Sequence, residues 1–110
     1  MAARLKTYLV LYDLAENDRD YGPLFRVIHS LEAYARPLDC VWVVQTRFSL
    51  DRLARALSLR LGTDDRLLVV ECGNHGAWRR MEPQIWSWLQ EVFVQPTRDV
   101  QPVPLRAVGA

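Results

Sequence analysis

Arg36-Pro37-Leu38-Asp39-Cys40-Val41-Trp42-Val43-Val44-Gln45-Thr46 is the stretch on which the fold turns. Cys40 to Thr46 is rich in β-branched residues and reads as a strand. Arg36 to Asp39, just before it, reads as a break or a very short edge strand, where proline is permitted. Upstream, a helix is read from about Tyr21 to Tyr34, with Leu24, Val27 or Ile28, and Leu31 at helical spacing. A doubly wound sheet would need another helix between Tyr34 and Cys40, and there is no room for one.

Thr7 to Asp13 is a continuous apolar run that ends on Tyr12-Asp13, and it suits a central strand buried on both faces. A polar loop, Ala15 to Asp20, leads into the helix, with Asp20 or Gly22 as cap and Pro23 in the first turn. After Thr46, Ser49 caps a second helix with Leu50, Leu53, Leu57 and Leu61 as its apolar stripe, and Gly62 ends it. Arg66 to Cys72 is a further apolar strand. Gly73 to Gly76 is a loop. A last helix opens at Pro83 and runs to about Phe93. The order predicts an α+β ferredoxin-like sandwich, βαββαβ, with a four-stranded antiparallel sheet, helices on one face and an added C-terminal helix. Residues 1–94 form this domain, and 95–110, with Pro96, Pro102 and Pro104, an extended tail.

The 110 residues suffice for one core and not for two. Lys and Arg number 14 against 13 Asp and Glu, a net charge of +1 that supplies no electrostatic reason to expect nucleic acid or an anionic membrane. The start lacks the apolar core of a signal peptide and no segment reaches membrane-span length, so the expected location is the cytoplasm, with no membrane partner. Cys40 and Cys72 are expected at the same end of the sheet, too far apart to bridge, as buried free thiols. Trp86 and Trp88 straddle the last helix and cannot both face one core, which points to a partner chain.

The chemistry-bearing residues are few. Taking the first and third strands as parallel neighbours, and the fourth as antiparallel to the first, brings Asp13, Thr46, Asp64, Asp65 and Arg66 to one edge of the sheet. Clustered carboxylates are what Mg²⁺ requires, and a metal there would activate water and clamp a phosphodiester. Aspartates are also common in turns and caps because the side chain bonds local amides; Asp20 and Asp64 fit that pattern directly. His29 reads as a helix-surface residue. His75 beside Trp78 could line a pocket, although a loop histidine is an ordinary find. No nucleophile motif and no phosphate loop are present.

Tyr12-Asp13-Leu14, Asp20-Tyr21, Pro37-Leu38-Asp39 with Trp42, Asp64-Asp65-Arg66-Leu67-Leu68-Val69 and Ala77-Trp78 occur in an order that resembles a known superfamily. It comprises the small CRISPR-associated integration subunit (Cas-two) and the virulence-associated protein D family, and the closest resemblance is to the SinR-like bacterial proteins. The likeness spans about residues 7 to 78, and each motif alone is weak. It implies a ferredoxin-like homodimer in which an aspartate at the end of the first strand, here Asp13, holds a divalent metal at the interface. On that reading the chain is a metal-dependent nuclease or a nucleic-acid-associated factor. Asp13 would be the catalytic residue, Asp13 and Asp65 the ligands of Mg²⁺ or Mn²⁺, and Thr46, Arg66 and Trp78 binding residues. The alternative is a non-catalytic dimeric binding module with a protein partner, as in toxin–antitoxin pairs or regulatory complexes.

Overall fold

Strand β1, Lys6–Asp13, runs through the middle of the sheet, and its side chains alternate between two environments. Tyr8, Val10 and Tyr12 are buried on one face, while Leu9 and Leu11 are half-buried on the other. The computed structural model describes residues 4–16 and 18–94. The remaining elements are α1 (Gly22–His29), β2 (Ala33–Leu38), β3 (Val41–Thr46), α2 (Leu50–Ser58), β4 (Arg66–Glu71) and α3 (Pro83–Val92). The sheet order is β2-β3-β1-β4, and every pairing is antiparallel. This α+β arrangement of four antiparallel strands and three helices is compatible with a ferredoxin-like sandwich. The expected tail, 95–110, lies outside the described residues.

Helices α1 and α2 cover one face, and their apolar stripes make the core. Leu24, Ile28 and Leu31 from the α1 region and Leu53 and Leu57 from α2 pack on Tyr8, Val10, Tyr12, Trp42 and Val44. Full burial of each such aliphatic side chain contributes roughly 1.5–3 kcal/mol. The polar ends of the buried rings find partners: the Tyr8 hydroxyl donates to the Phe48 carbonyl at 2.8 Å, and Trp42 Nε1 donates to the Tyr12 hydroxyl at 3.0 Å. Helix α2 begins where Ser49 Oγ accepts from the Arg52 amide, the N-cap the sequence signals.

Several sequence readings are corrected. The first helix stops at His29 instead of reaching Tyr34, and β2 already begins at Ala33. The cause is tertiary. Ser30 Oγ bonds back to the Val27 carbonyl at 2.6 Å, and the Glu32 carboxylate then takes the Thr46 hydroxyl (3.0 Å) and the Arg47 amide (2.7 Å), which draws the chain into the sheet. The register of β2 on β3 shifts between Ala35 and Leu38, where Pro37 has no ladder donor to lose.

The first and third strands are antiparallel, not parallel: Lys6 lies opposite Thr46 and Leu11 opposite Val41. The tight Asp39–Cys40 turn makes β3 antiparallel to β2, and β3 inserts between β2 and β1. The cysteines therefore sit at opposite ends of the sheet. The Cys40 carbonyl accepts from the Tyr12 amide, whereas the Cys72 amide reaches the Thr7 carbonyl. Both are free, but neither is buried as expected: Cys40 is exposed and Cys72 half-buried.

Finally, the helices do not share one face. Helix α3 lies across the face opposite α1 and α2, where Leu89 and Phe93 stand over Leu9, Leu11 and Val43. Among the described residues no helix is long and apolar enough to cross a membrane.

Candidate functional site

Asp13 and Arg66 meet at one rim of the sheet, as cross-strand partners in the register of β1 on β4. Asp65 stands beside them, one residue before β4. Thr46 does not join them. It is at the opposite end of β3, about the length of β1 away, or roughly 23 Å at the usual rise per residue. The expectation that Thr46 shares an edge with Asp13, Asp64, Asp65 and Arg66 fails because it rested on parallel first and third strands.

Asp65 and Asp13 are in different states of engagement. Asp65 Oδ1 accepts from the Ala15 amide at 2.8 Å and from the Tyr21 hydroxyl at 2.7 Å, and Oδ2 accepts from the Gly62 amide at 2.7 Å. Loss of hydration opposes its ionisation. The Ala15 and Gly62 amides, the Tyr21 hydroxyl and the Arg19 charge outweigh that, and its pKa falls below the ordinary carboxylate value. The same contact, with loss of hydration as the larger cause, raises the Tyr21 phenol. Around this carboxylate the 15–21 loop closes onto the turn after α2. A Cβ at Gly62 would lie 3.1 Å from an Arg19 guanidinium nitrogen and 3.3 Å from Glu16 Oε1.

Asp13 is exposed and makes no side-chain hydrogen bond or ion pair among the described residues. Alternation along β1 places it on the same face as Leu9 and Leu11. Among the described residues, no group of three His, Cys, Asp or Glu side chains lies close enough to hold a metal ion. With both Asp65 oxygens committed to local donors, a divalent cation at this rim would find only exposed single carboxylates, Asp13 and Asp64, among the described residues. The donor set of a single chain does not fit Mg²⁺ or Mn²⁺ well.

Thr46 is fully buried, and its hydroxyl donates to Glu32 Oε1 and accepts from the Phe48 amide at 3.2 Å. It is half of a brace that joins the start of β2 to the end of β3. In Glu32, loss of hydration works against ionisation, but the Arg47 amide, the Thr46 hydroxyl and the Arg47 charge lower its pKa overall. Arg66 is exposed.

Trp78 belongs to another region altogether. It lines an apolar recess of about 390 Å³ between the sheet and α3, together with His75. Among the described residues, no Asp, Glu, Lys or Arg side chain borders this recess. Cys72 does, and loss of hydration raises its thiol above the ordinary value; the Leu9 backbone opposes that rise and the Glu71 charge adds to it. Beyond the recess, the same sheet face remains open. Leu68 is 57% exposed and Val70 42%, and Leu38, which also borders the recess, is 56% exposed.

Sequence reasoning placed His75 and Trp78 near one another because they are three residues apart in a loop. It missed the floor residues, Leu9, Leu11 and Val43. Their apolar character signals burial, and only the position of α3 turns them into a cavity wall.

His29, a surface residue as expected, packs on aromatic neighbours, its ring centroid 4.9 Å from Tyr34 and 5.6 Å from Trp42. Set against known proteins, the chain matches no family model, no curated protein and no solved structure.

Proposed function

We propose that this chain is a dimeric, ferredoxin-like module of the Cas-two type that acts in the cytoplasm as a non-catalytic binding partner, its two copies joined through the open face of the sheet. One observation carries the reading: Leu38 on β2 and Leu68 and Val70 on β4 are exposed aliphatic side chains on the sheet face opposite the core under α1 and α2. Contiguous apolar patches on small domains mark association surfaces. The sequence resemblance, with its implied homodimer, agrees. The engagement of Asp65 by two amides and a hydroxyl favours a structural over a catalytic role at that rim. The test is particle mass by sedimentation equilibrium. The wild-type chain is expected to sediment as a dimer and Leu68→Lys as a folded monomer. A monomeric wild type at high concentration would remove the reading.

A second reading, metal-dependent nuclease, keeps one observation in its favour. Asp13 is an uncommitted carboxylate on the same sheet face as the open surface, so association across that face would place a second Asp13 within the assembly. Its expected signature is cleavage of RNA or DNA that depends on Mg²⁺ or Mn²⁺ and is lost in Asp13→Ala. Absence of cleavage across substrates and both metals would rule it out.

A further inference from the structure

Strands β2 and β4 form the two edges of the sheet, and the edges are finished differently. β2 carries Pro37 and a register shift between Ala35 and Leu38, two devices that blunt an edge against further pairing. β4 keeps an unbroken register on β1 and contains no proline or lysine. The Cys72 amide reaches the Thr7 carbonyl. Alternation along the ladder then turns the backbones of Arg66, Leu68 and Val70 toward β1 and those of Leu67, Val69 and Glu71 outward. Among the described residues, no backbone hydrogen bond reaches β4 from that outer side. An apolar edge with unpaired amides and carbonyls is a template for one more strand.

The chain itself holds a segment whose sequence fits this edge. The described residues end at Val94, whose amide donates to the Asn74 carbonyl at 2.7 Å, two residues past Cys72. Residues 95–100 can span about 20 Å, and one strand spacing is about 4.8 Å. That is enough to turn back along β4 in the antiparallel sense. Pro96, Pro102 and Pro104 all stand at even positions. A strand pairs on each side through alternate residues, so a strand over 101–105 keeps the amides of Gln101, Val103 and Leu105 on one side and its prolines on the other. Gln101 and Val103 each precede a proline, which biases both to extended backbone. Such a strand joins a sheet edge but accepts no strand in turn. A second copy or a foreign strand must reach the edge from solution, whereas this segment is tethered beside it.

We propose that residues 101–105 add to the outer edge of β4 of their own chain as an antiparallel fifth strand, with Gln101 opposite Glu71, Val103 opposite Val69 and Leu105 opposite Leu67. This register extends each face in kind. Val103 and Leu105 lie beside the half-buried Val69 and Leu67, on the face covered by α1 and α2. Pro102 and Pro104 lie beside Val70 and Leu68 on the open face. Arg106 arrives at the rim where Asp13, Asp64 and Asp65 outnumber Arg66. The prolines close the edge, so copies of the chain meet through the open face and not edge to edge.

The test follows amide hydrogen exchange in the ¹⁵N-labelled full chain by NMR. The Leu67, Val69 and Glu71 amides are expected to exchange at least about 10-fold more slowly in wild type than in Val103→Pro, which removes the central donor of the added strand. Val100→Pro, at an even position, is expected to leave their exchange unchanged. A second measurement places Val69→Cys and Val103→Cys in a chain that carries Cys40→Ser and Cys72→Ser. Oxidation is expected to bridge the pair within one chain, at monomer mass on a non-reducing denaturing gel. Fast exchange at the three amides in wild type, protection that survives in Val103→Pro (the mark of a second copy or another protein's strand on the edge), loss of protection in Val100→Pro, absence of the bridge, or a bridge that joins two chains would overturn the proposal.

Discussion

The two faces of this sheet are made from the same kinds of residue and end in opposite conditions. On the side of α1 and α2, Tyr8, Val10, Trp42 and Val44 are sealed by Leu24, Ile28, Leu53 and Leu57, and the ring polar groups are paired. On the side of α3, Leu9, Leu11, Val41 and Val43 are equally apolar, but one helix covers only part of them and leaves a recess and an exposed aliphatic strip. Hydropathy alone therefore does not say which surface is core and which is interface. The number of helices available to each face does. The polar anchors divide in the same way. Asp65 is bound up in holding the loop before α1 to the turn after α2, whereas Asp13, on the other face, is uncommitted.

This contrast breaks most visibly in the closed core. Leu57→Ala removes a fully buried side chain, and the expected loss is about 2–5 kcal/mol, read from urea unfolding. A loss as small as that of an open-face truncation would mean the two faces are not distinct. Asp65→Asn is expected to come next, lowering Tm by several degrees in a thermal melt, because one carboxylate now satisfies three donors.

The sign with pH follows from its lowered pKa. The stabilisation is complete above the unfolded carboxylate value of about 3.9 and is lost as pH falls through the lower folded value. Glu32 acts in the same direction. The variant should show a flatter acid limb than wild type in a pH series of melts.

Ser49→Ala, which strips the cap of α2, is expected to cost about 1 kcal/mol by the same urea measurement. The smallest effect belongs to the open face. Leu68→Lys is expected to change the stability of the monomer by no more than about 0.5 kcal/mol, while it dissociates the dimer. If it unfolds the chain instead, Leu68 belongs to a core and the contrast between the faces is lost.

Much of the local structure was legible in the sequence because it depends on neighbours in the chain. The period of Leu53 and Leu57, the serine cap at Ser49, the apolar runs of β1, β3 and β4, and the lack of room for a helix between Tyr34 and Cys40 are all short-range signals. The end of α1 was not legible. It is decided by Glu32 reaching Thr46 and Arg47 on another strand. The candidate site was legible only in fragments. Asp13 and Arg66 fall together through the register of β1 on β4. Thr46 was misplaced, because residue type and spacing carry no information about strand direction once the neighbouring strands are not consecutive.

Composition and periodicity by themselves determined that this chain makes strands and amphipathic helices in a fixed order around an apolar centre, since each of those choices is settled within one or two turns of chain. Tertiary structure alone decided that β3 enters between β1 and β2 with its direction reversed. It also spent Asp65 on amides and left Asp13 at a rim. The single helix laid over the second face there encloses a recess and leaves the rest bare. Those outcomes depend on contacts between segments far apart in sequence, whose geometry is set by packing and by the pairing of buried donors, neither of which any local stretch encodes.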